Sequence, residues 1–351
     1  MKLQHMISLL LCAAVLAGCA APGASAPATQ PTQPTEDTQP TEAVQPTEAP
    51  KGPSLSNPNA TEEAKQLYAY LCGLSGQGVL SGQMESTWMG SPDYEMDYIF
   101  EKTGKYPAIR GLDYMHDDFD GVNERAIQWW NEGGIVTIMW HTGSDFNGEW
   151  ADALADEITD WEATLTPGTS EYVNFVAGMD KAAEALLELQ EAGVPVLWRP
   201  FHEFDGRWFW WGKGGSDYFI RLWKLMYDRY TNHWGLNNLI WVLPYSGNGK
   251  AYGNWYPGDE YCDILGADSY AGGVQNKLYK LLTMVCDSGK PYCFHECGTN
   301  PTAEELQTTP WIWFMTWHTD HIVSNNDPEA LKALYNSDYV LTKDELPAFG
   351  E

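Results

Sequence analysis

From residue 78 onward the chain carries short apolar runs, each bounded by Gly, Pro or Asn. Each is too short for a helix but right for a strand buried on both faces. In order they are residues 78–83 (GVLSGQ), 106–114 (YPAIRGLDY), 134–141 (GIVTIMWH), 194–200 (VPVLWRP), 238–245 (NLIWVLPY), 262–270 (CDILGADSY), 291–296 (PYCFHE) and 311–317 (WIWFMTW). Between them the apolar spacing turns helical, most clearly over 170–192, where Val173, Val176, Ala177, Met179, Ala183, Leu186, Leu187 and Leu189 share a face and Gly193 ends it. Helices are also predicted over 122–131, 217–234 and 274–287. Strands that alternate with helices need parallel neighbours and right-handed crossovers, and eight such units can close on themselves. The pattern predicts an α/β fold, a single (β/α)8 TIM barrel. An open doubly wound sheet is the alternative, but the turn after the first run, GVLSGQMES, is not a Gly-rich phosphate loop.

The N-terminal segment does not share this pattern. Residues 1–18 combine a basic start at Lys2 with an apolar stretch from Met6 to Leu16, which is too short to span a bilayer stably and reads as a signal peptide. Leu16-Ala17-Gly18-Cys19 resembles the bacterial lipobox, which implies cleavage before Cys19 and lipid on its thiol. Residues 19–54 then form a disordered Pro/Thr/Glu tether, in which Gln-Pro-Thr recurs at Gln30, Gln33, Gln39 and Gln45. Residues 55–351 remain for the barrel, a length that suits one such domain. The expected location is the outer face of the cell membrane, with lipid on Cys19 as the only membrane contact.

A formal charge of -28 excludes nucleic acid as a partner, since no basic run reverses it locally. Of seven cysteines, Cys12 leaves with the signal and Cys19 takes lipid, so Cys72, Cys262, Cys286, Cys293 and Cys297 remain. They read mostly as small buried hydrophobes, with room for one disulfide. No metal-ligand spacing and no phosphate loop appears, so neither metal nor organic cofactor is expected.

Active sites of such barrels lie at the C-terminal ends of the strands, so the residues that close each run carry the candidate chemistry. Two glutamates stand there, each preceded by histidine: Glu203 after the fourth run and Glu296 at the end of the seventh. Strands four and seven face each other across the barrel mouth. Carboxyls held about 5 to 5.5 Å apart let one attack an anomeric carbon while the other protonates the departing oxygen. After Glu203 comes Phe204-Asp-Gly-Arg-Trp-Phe-Trp-Trp-Gly212, whose indole faces suit the C–H faces of pyranose rings. Trp208 is the expected sugar contact, whereas Trp210 and Trp211 either contact sugar or plug the barrel rim.

The stretch Trp198-Arg-Pro-Phe-His-Glu-Phe-Asp-Gly-Arg-Trp-Phe-Trp-Trp-Gly212 resembles the acid/base signature of glycoside hydrolase family 26, best known for β-mannanases. Residues 291–298 resemble its nucleophile strand, 133–141 its third strand and 263–270 its sixth, and the similarity runs over about residues 60–340. The resemblance implies a retaining endo-β-1,4-mannanase with Glu203 as acid/base and Glu296 as nucleophile, acting on β-mannan, galactomannan and glucomannan included. It further implies that His141, His202, Trp208, Tyr270 and Trp317 line the subsites beside the cleaved bond, with Tyr270 hydrogen-bonding Glu296. Arg199 and Trp255 complete the expected substrate-binding set. One departure from the family's commonest wording is Phe204-Asp205, where many members have an apolar residue and Asn. Rival readings are a β-glucanase or β-1,3-xylanase of the same family, distinguished only by the pocket for an axial 2-hydroxyl, and a surface glycan-binding lipoprotein, which would not need paired carboxylates.

Overall fold

The computed structural model describes residues 54–350. The expected signal peptide, Cys19 and the tether as far as residue 53 lie outside the described residues. Eight strands follow the eight runs: β1 (Val79–Met84), β2 (Ile109–Asp113), β3 (Ile135–Met139), β4 (Val196–Trp198), β5 (Leu239–Ser246), β6 (Ile264–Ser269), β7 (Tyr292–Cys297) and β8 (Trp313–Thr316). They pair in parallel in chain order, and β1 pairs with both β8 and β2, which closes the barrel. The main helices are α1 (Glu62–Leu74), α2 (Tyr94–Thr103), α3 (Phe119–Asn131), α4 (Ser170–Glu191), α5 (Ser216–Asp228), α6 (Asn276–Val285) and α7 (Pro328–Tyr335).

Two departures have local causes. The predicted helix over 217–234 is α5 followed by a π-helical turn, Arg229–His233, where Arg229 forks onto Asp180 of α4 and Tyr230 Oη donates to Met179 O at 2.8 Å. A two-residue strand, β9 (Val340–Leu341), also pairs with β1, at Val79 and Leu80, on the edge that β2 takes from Gly82 onward. Its shortness hides it from pattern reading.

Alternation along the strands divides the core in two. Ile135 and Met139 of β3, Leu197 of β4, Ile240 and Val242 of β5 and Ile264 of β6 point inward and pack with Leu67, Tyr68 and Leu71 of α1, which covers the N-terminal mouth. Val136, Ile138, Trp198, Trp241 and Leu265 point outward against the helices. Thr61 starts α1 by accepting a hydrogen bond from Ala64 N at 3.2 Å. The closed lower end leaves the C-terminal mouth for chemistry. Cys72, Cys262, Cys286, Cys293 and Cys297 are all free thiols, and all but the half-buried Cys72 are buried, so the disulfide left open above is not formed among the described residues.

Candidate active site

The barrel mouth opens into a cleft of about 960 Å³ that contains both Glu203 and Glu296. Their side chains arrive there by different routes. In β6–β7 pairing, Ala267 faces Phe294 but Asp268 faces Glu296, so β7 carries one extra residue at His295. This β-bulge interrupts the alternation, and consecutive residues both turn inward. His295 Nε2 meets Thr137 Oγ1 at 3.1 Å inside the barrel, while Glu296 reaches Arg199.

Glu203 lies beyond the end of β4. Pro200 has no N–H to continue the ladder. The chain then passes through left-handed conformations at Phe201 (φ 52°), Glu203 (φ 54°) and Arg207 (φ 63°), which cost non-glycine residues about 1–3 kcal/mol each. Glu203 N donates to Pro244 O of β5 at 3.0 Å. Phe204 stacks on Phe219 with centroids 3.9 Å apart, and Asp205 accepts from Ser246 N at 2.7 Å. Gly249 makes room for that carboxylate, because a Cβ there would lie 1.7 Å from Asp205 Oδ2. Burial pushes the Asp205 carboxyl up to about 7.

One oxygen each of Glu203, Asp268 and Glu296 lie within 4.8 Å of one another. Arg199 Nη2 donates to Glu296 Oε2 at 2.7 Å and also to Asp268 Oδ2, and Tyr270 Oη donates to Glu296 Oε1. Among the described residues Glu203 accepts only from Trp208 Nε1, at 2.9 Å. Burial, followed by the nearby Glu296, pushes Glu203 up to about 8. Burial also raises Asp268, against the pull of Arg199. Three oxygens at this spacing could cradle a cation, but the Arg199 guanidinium already supplies the positive charge to two of them.

The other expected residues divide. His141, His202, Trp208, Tyr270 and Trp317 line the cleft. His141 Nδ1 meets Asp113 Oδ2 at 2.5 Å, and although burial opposes it, His141 holds the Asp113 carboxyl below the ordinary range. Burial, then Arg199, drives His202 well down, so its ring is neutral, and its buried Nδ1 has no partner among the described residues. Trp208 lies over Gly206, where a Cβ would come within 2.1 Å of the indole. Arg199 is fully buried on Asp268 and Glu296 and does not line the cleft. Trp255 is likewise not in the cleft: it packs behind Phe204 and Phe219 at 5.7 Å. Trp210 and Trp211 plug the rim, fully buried, with their indole N–H groups on Thr142 O and His202 O.

Asp268 and His318 stand among the expected strand-end residues but without an assigned role, and the cleft residues Trp88, Trp150 and His321 were not expected there. Trp88 sits on a loop and Trp150 opens a short helix, Trp150–Ala155, and neither carries a periodic signal. Burial, then His321, lowers His318 to about 4.

The family model Glycosyl hydrolase family 26 matches residues 56–345. A mannan endo-1,4-beta-mannosidase of Thermothelomyces thermophilus is 37% identical over 84% of this chain and 63% of that protein. The Podospora anserina GH26-CBM35 beta-(1,4)-mannanase structure aligns with TM-score 0.76 and 36% identity, covering 86% of this chain and 71% of that one. A beta-mannanase from a symbiotic protist of the termite Reticulitermes speratus, complexed with gluco-manno-oligosaccharide, aligns with TM-score 0.78 and 29% identity over 84% of this chain and 98% of that one. The chain spans between 51% and 63% of the length of the first four curated relatives it matches.

Proposed function

The chain belongs to glycosyl hydrolase family 26, and on that footing we propose that it is a retaining endo-β-1,4-mannanase whose nucleophile is Glu296 and whose acid/base is Glu203. The observation that carries this reading is the unequal pair of carboxyls within 4.8 Å at the barrel mouth. Glu296 accepts from a guanidinium and a phenol, the surroundings of a carboxylate ready to attack. Glu203, with one indole donor and a pKa near 8, keeps its proton at neutral pH.

In the first step a Glu296 oxygen bonds to the anomeric carbon as the glycosidic C–O bond breaks, and the Glu203 proton passes to the departing oxygen. In the second, Glu203, now a carboxylate, takes a proton from water as that water attacks the same carbon and releases Glu296. The mannosyl unit beside the bond is met by the neutral ring of His202 and by the indoles of Trp208 and Trp317. Mannan is favoured because the relatives named above are mannanases; glucan and β-1,3-xylan are the alternatives that experiment must separate.

Product analysis on mannan, glucan and xylan side by side tests this. Short manno-oligosaccharides should appear from mannan at the highest kcat/KM, and faster cleavage of glucan or xylan overturns the substrate assignment. We further propose that Cys19 carries lipid and holds the enzyme on the outer face of the cell membrane. Cys19→Ala should move the protein from the membrane fraction to the medium, and wild type found wholly in the medium refutes the anchor.

A further inference from the structure

We propose that Glu95, which lies outside the reacting groups, is a positioning residue that fixes the Trp88–His318 wall of the cleft and thereby sets affinity for the polysaccharide beyond the cleaved bond. The inference rests on the reading of this cleft as a glycan site. Glu95 is the second residue of α2 and is fully buried. Its Oε2 accepts from Ser86 N at 3.0 Å, and its Oε1 accepts from Ser86 Oγ at 2.6 Å and Thr319 N at 2.8 Å. These donors belong to two loops, one after β1 and one after β8, and each stands next to a cleft residue. Ser86 precedes Thr87 and Trp88, and Thr319 follows His318.

Across the join between the loops, Trp88 and His318 meet edge to face, with centroids 4.8 Å apart and planes at 86°. Trp88 is 53% exposed, a large apolar face left open to the cleft. Thr319 is held at φ 54°, ψ -121°, a costly conformation for a β-branched residue. The backbone N–H of that strained residue is the one Glu95 receives. A buried carboxyl is expensive unless its oxygens are filled. No Lys or Arg among the described residues pairs with Glu95. All its hydrogen bonds therefore go to the two loops that make the wall, and removing them frees the loops before it disturbs the barrel.

The amide in Glu95→Gln must turn its NH2 toward one of the two backbone N–H groups, so one loop loses its partner. Steady-state kinetics are measured on the polysaccharide that wild type depolymerises best and on a monosaccharide aryl glycoside with a good leaving group, which occupies only the position beside the cleaved bond. Glu95→Gln should raise KM on the polymer about 5- to 20-fold with kcat within about twofold, and should leave kcat/KM on the aryl glycoside within about twofold. Trp88→Ala should reproduce the KM rise, and the double variant should be no worse than Trp88→Ala alone, because both changes remove the same wall.

If Glu95→Gln does not fold, Ser86→Ala, which deletes only the 2.6 Å hydroxyl bond, carries the same cycle with a KM rise of about two- to threefold. Additive effects of the two substitutions, an unchanged polymer KM, or equal losses on both substrates that follow the folded fraction each overturn the proposal. A wrong choice of mannan shows in wild type alone and leaves the cycle intact on whichever glycan is cleaved.

Discussion

The two His-Glu dipeptides are alike in sequence and unlike in place. His295-Glu296 is part of β7, where a bulge turns both side chains inward and strand geometry brings Glu296 to Arg199 and Tyr270. His202-Glu203 sits on a strained loop past β4, where Glu203 has, among the described residues, a single indole donor. The histidines differ in the same way: His295 is packed against Thr137 in the barrel, whereas His202 faces the cleft. A strand, here bulged, delivers several donors to one carboxyl and so makes a place for charge. A loop that turns away from the ladder leaves its carboxyl with few donors, and burial then favours the proton. The opposite roles proposed for these two glutamates rest on the backbone that carries each of them.

Removing each carboxyl in turn breaks the comparison most sharply. Glu296→Ala should lower kcat/KM on mannan by at least about 10⁴-fold with the fold retained, because no glycosyl-enzyme can form. Glu203→Ala should lose about 10²- to 10⁴-fold on mannan yet recover with azide on an aryl glycoside with a good leaving group, since attack by Glu296 no longer needs an acid there. Equal behaviour of the two variants in the azide assay contradicts the assignment of roles.

Arg199 joins the two regions, since it follows β4 and bonds to Glu296 of β7 and Asp268 of β6. Arg199→Met leaves two buried carboxyls without their cation and should lower unfolding free energy by about 3–5 kcal/mol in urea titrations. A loss below about 1 kcal/mol means that the pair is not buried as described.

The pH dependence sharpens the contrast more gently. With Glu203 pushed up to about 8, kcat/KM should fall as pH rises through about 8, when the acid loses its proton. The same shift has a consequence for stability. A carboxyl whose pKa is raised by folding binds its proton more tightly in the native state, so its contribution is full below the ordinary carboxylate range and is lost as pH rises through about 8. Glu203→Gln should therefore match wild type in melting temperature near pH 4 and exceed it near pH 9. A variant less stable than wild type at both pH values argues against the buried, protonated acid.

Much of this was legible in the chain. Eight apolar runs gave eight strands, and strand-end reading brought Glu203, Glu296, His141, His202, Tyr270 and Trp317 to one cleft. What escaped was set by tertiary context. Strict alternation from the inward-facing Cys293 and His295 would turn Glu296 outward, and the bulge that corrects it depends on pairing with β6. Trp255 was expected at the sugar, but Phe204 and Phe219 enclose it, and an indole has the same composition in a core as in a cleft. Arg199 was expected to touch substrate; complete burial with two carboxylates could not be read from its place after Trp198. Glu95 lies in α2, a helix the spacing did not predict, and bonds to Thr319 far along the chain, a contact that no local pattern carries.

The central claim, that Glu203 and Glu296 are near enough for direct attack, is tested most directly by the stereochemistry of the first product. Oxygens within 4.8 Å leave no room for a water between the carboxyl and the anomeric carbon, so hydrolysis is expected to pass through a glycosyl-enzyme with net retention. Proton NMR during the first moments of mannan-oligosaccharide cleavage should show the β-anomer, with the α-anomer appearing only as mutarotation proceeds. An α-anomer formed first would mean that water attacks from the opposite face, as it does when the carboxyls stand about 6.5–9.5 Å apart, and would contradict the pairing of these two glutamates.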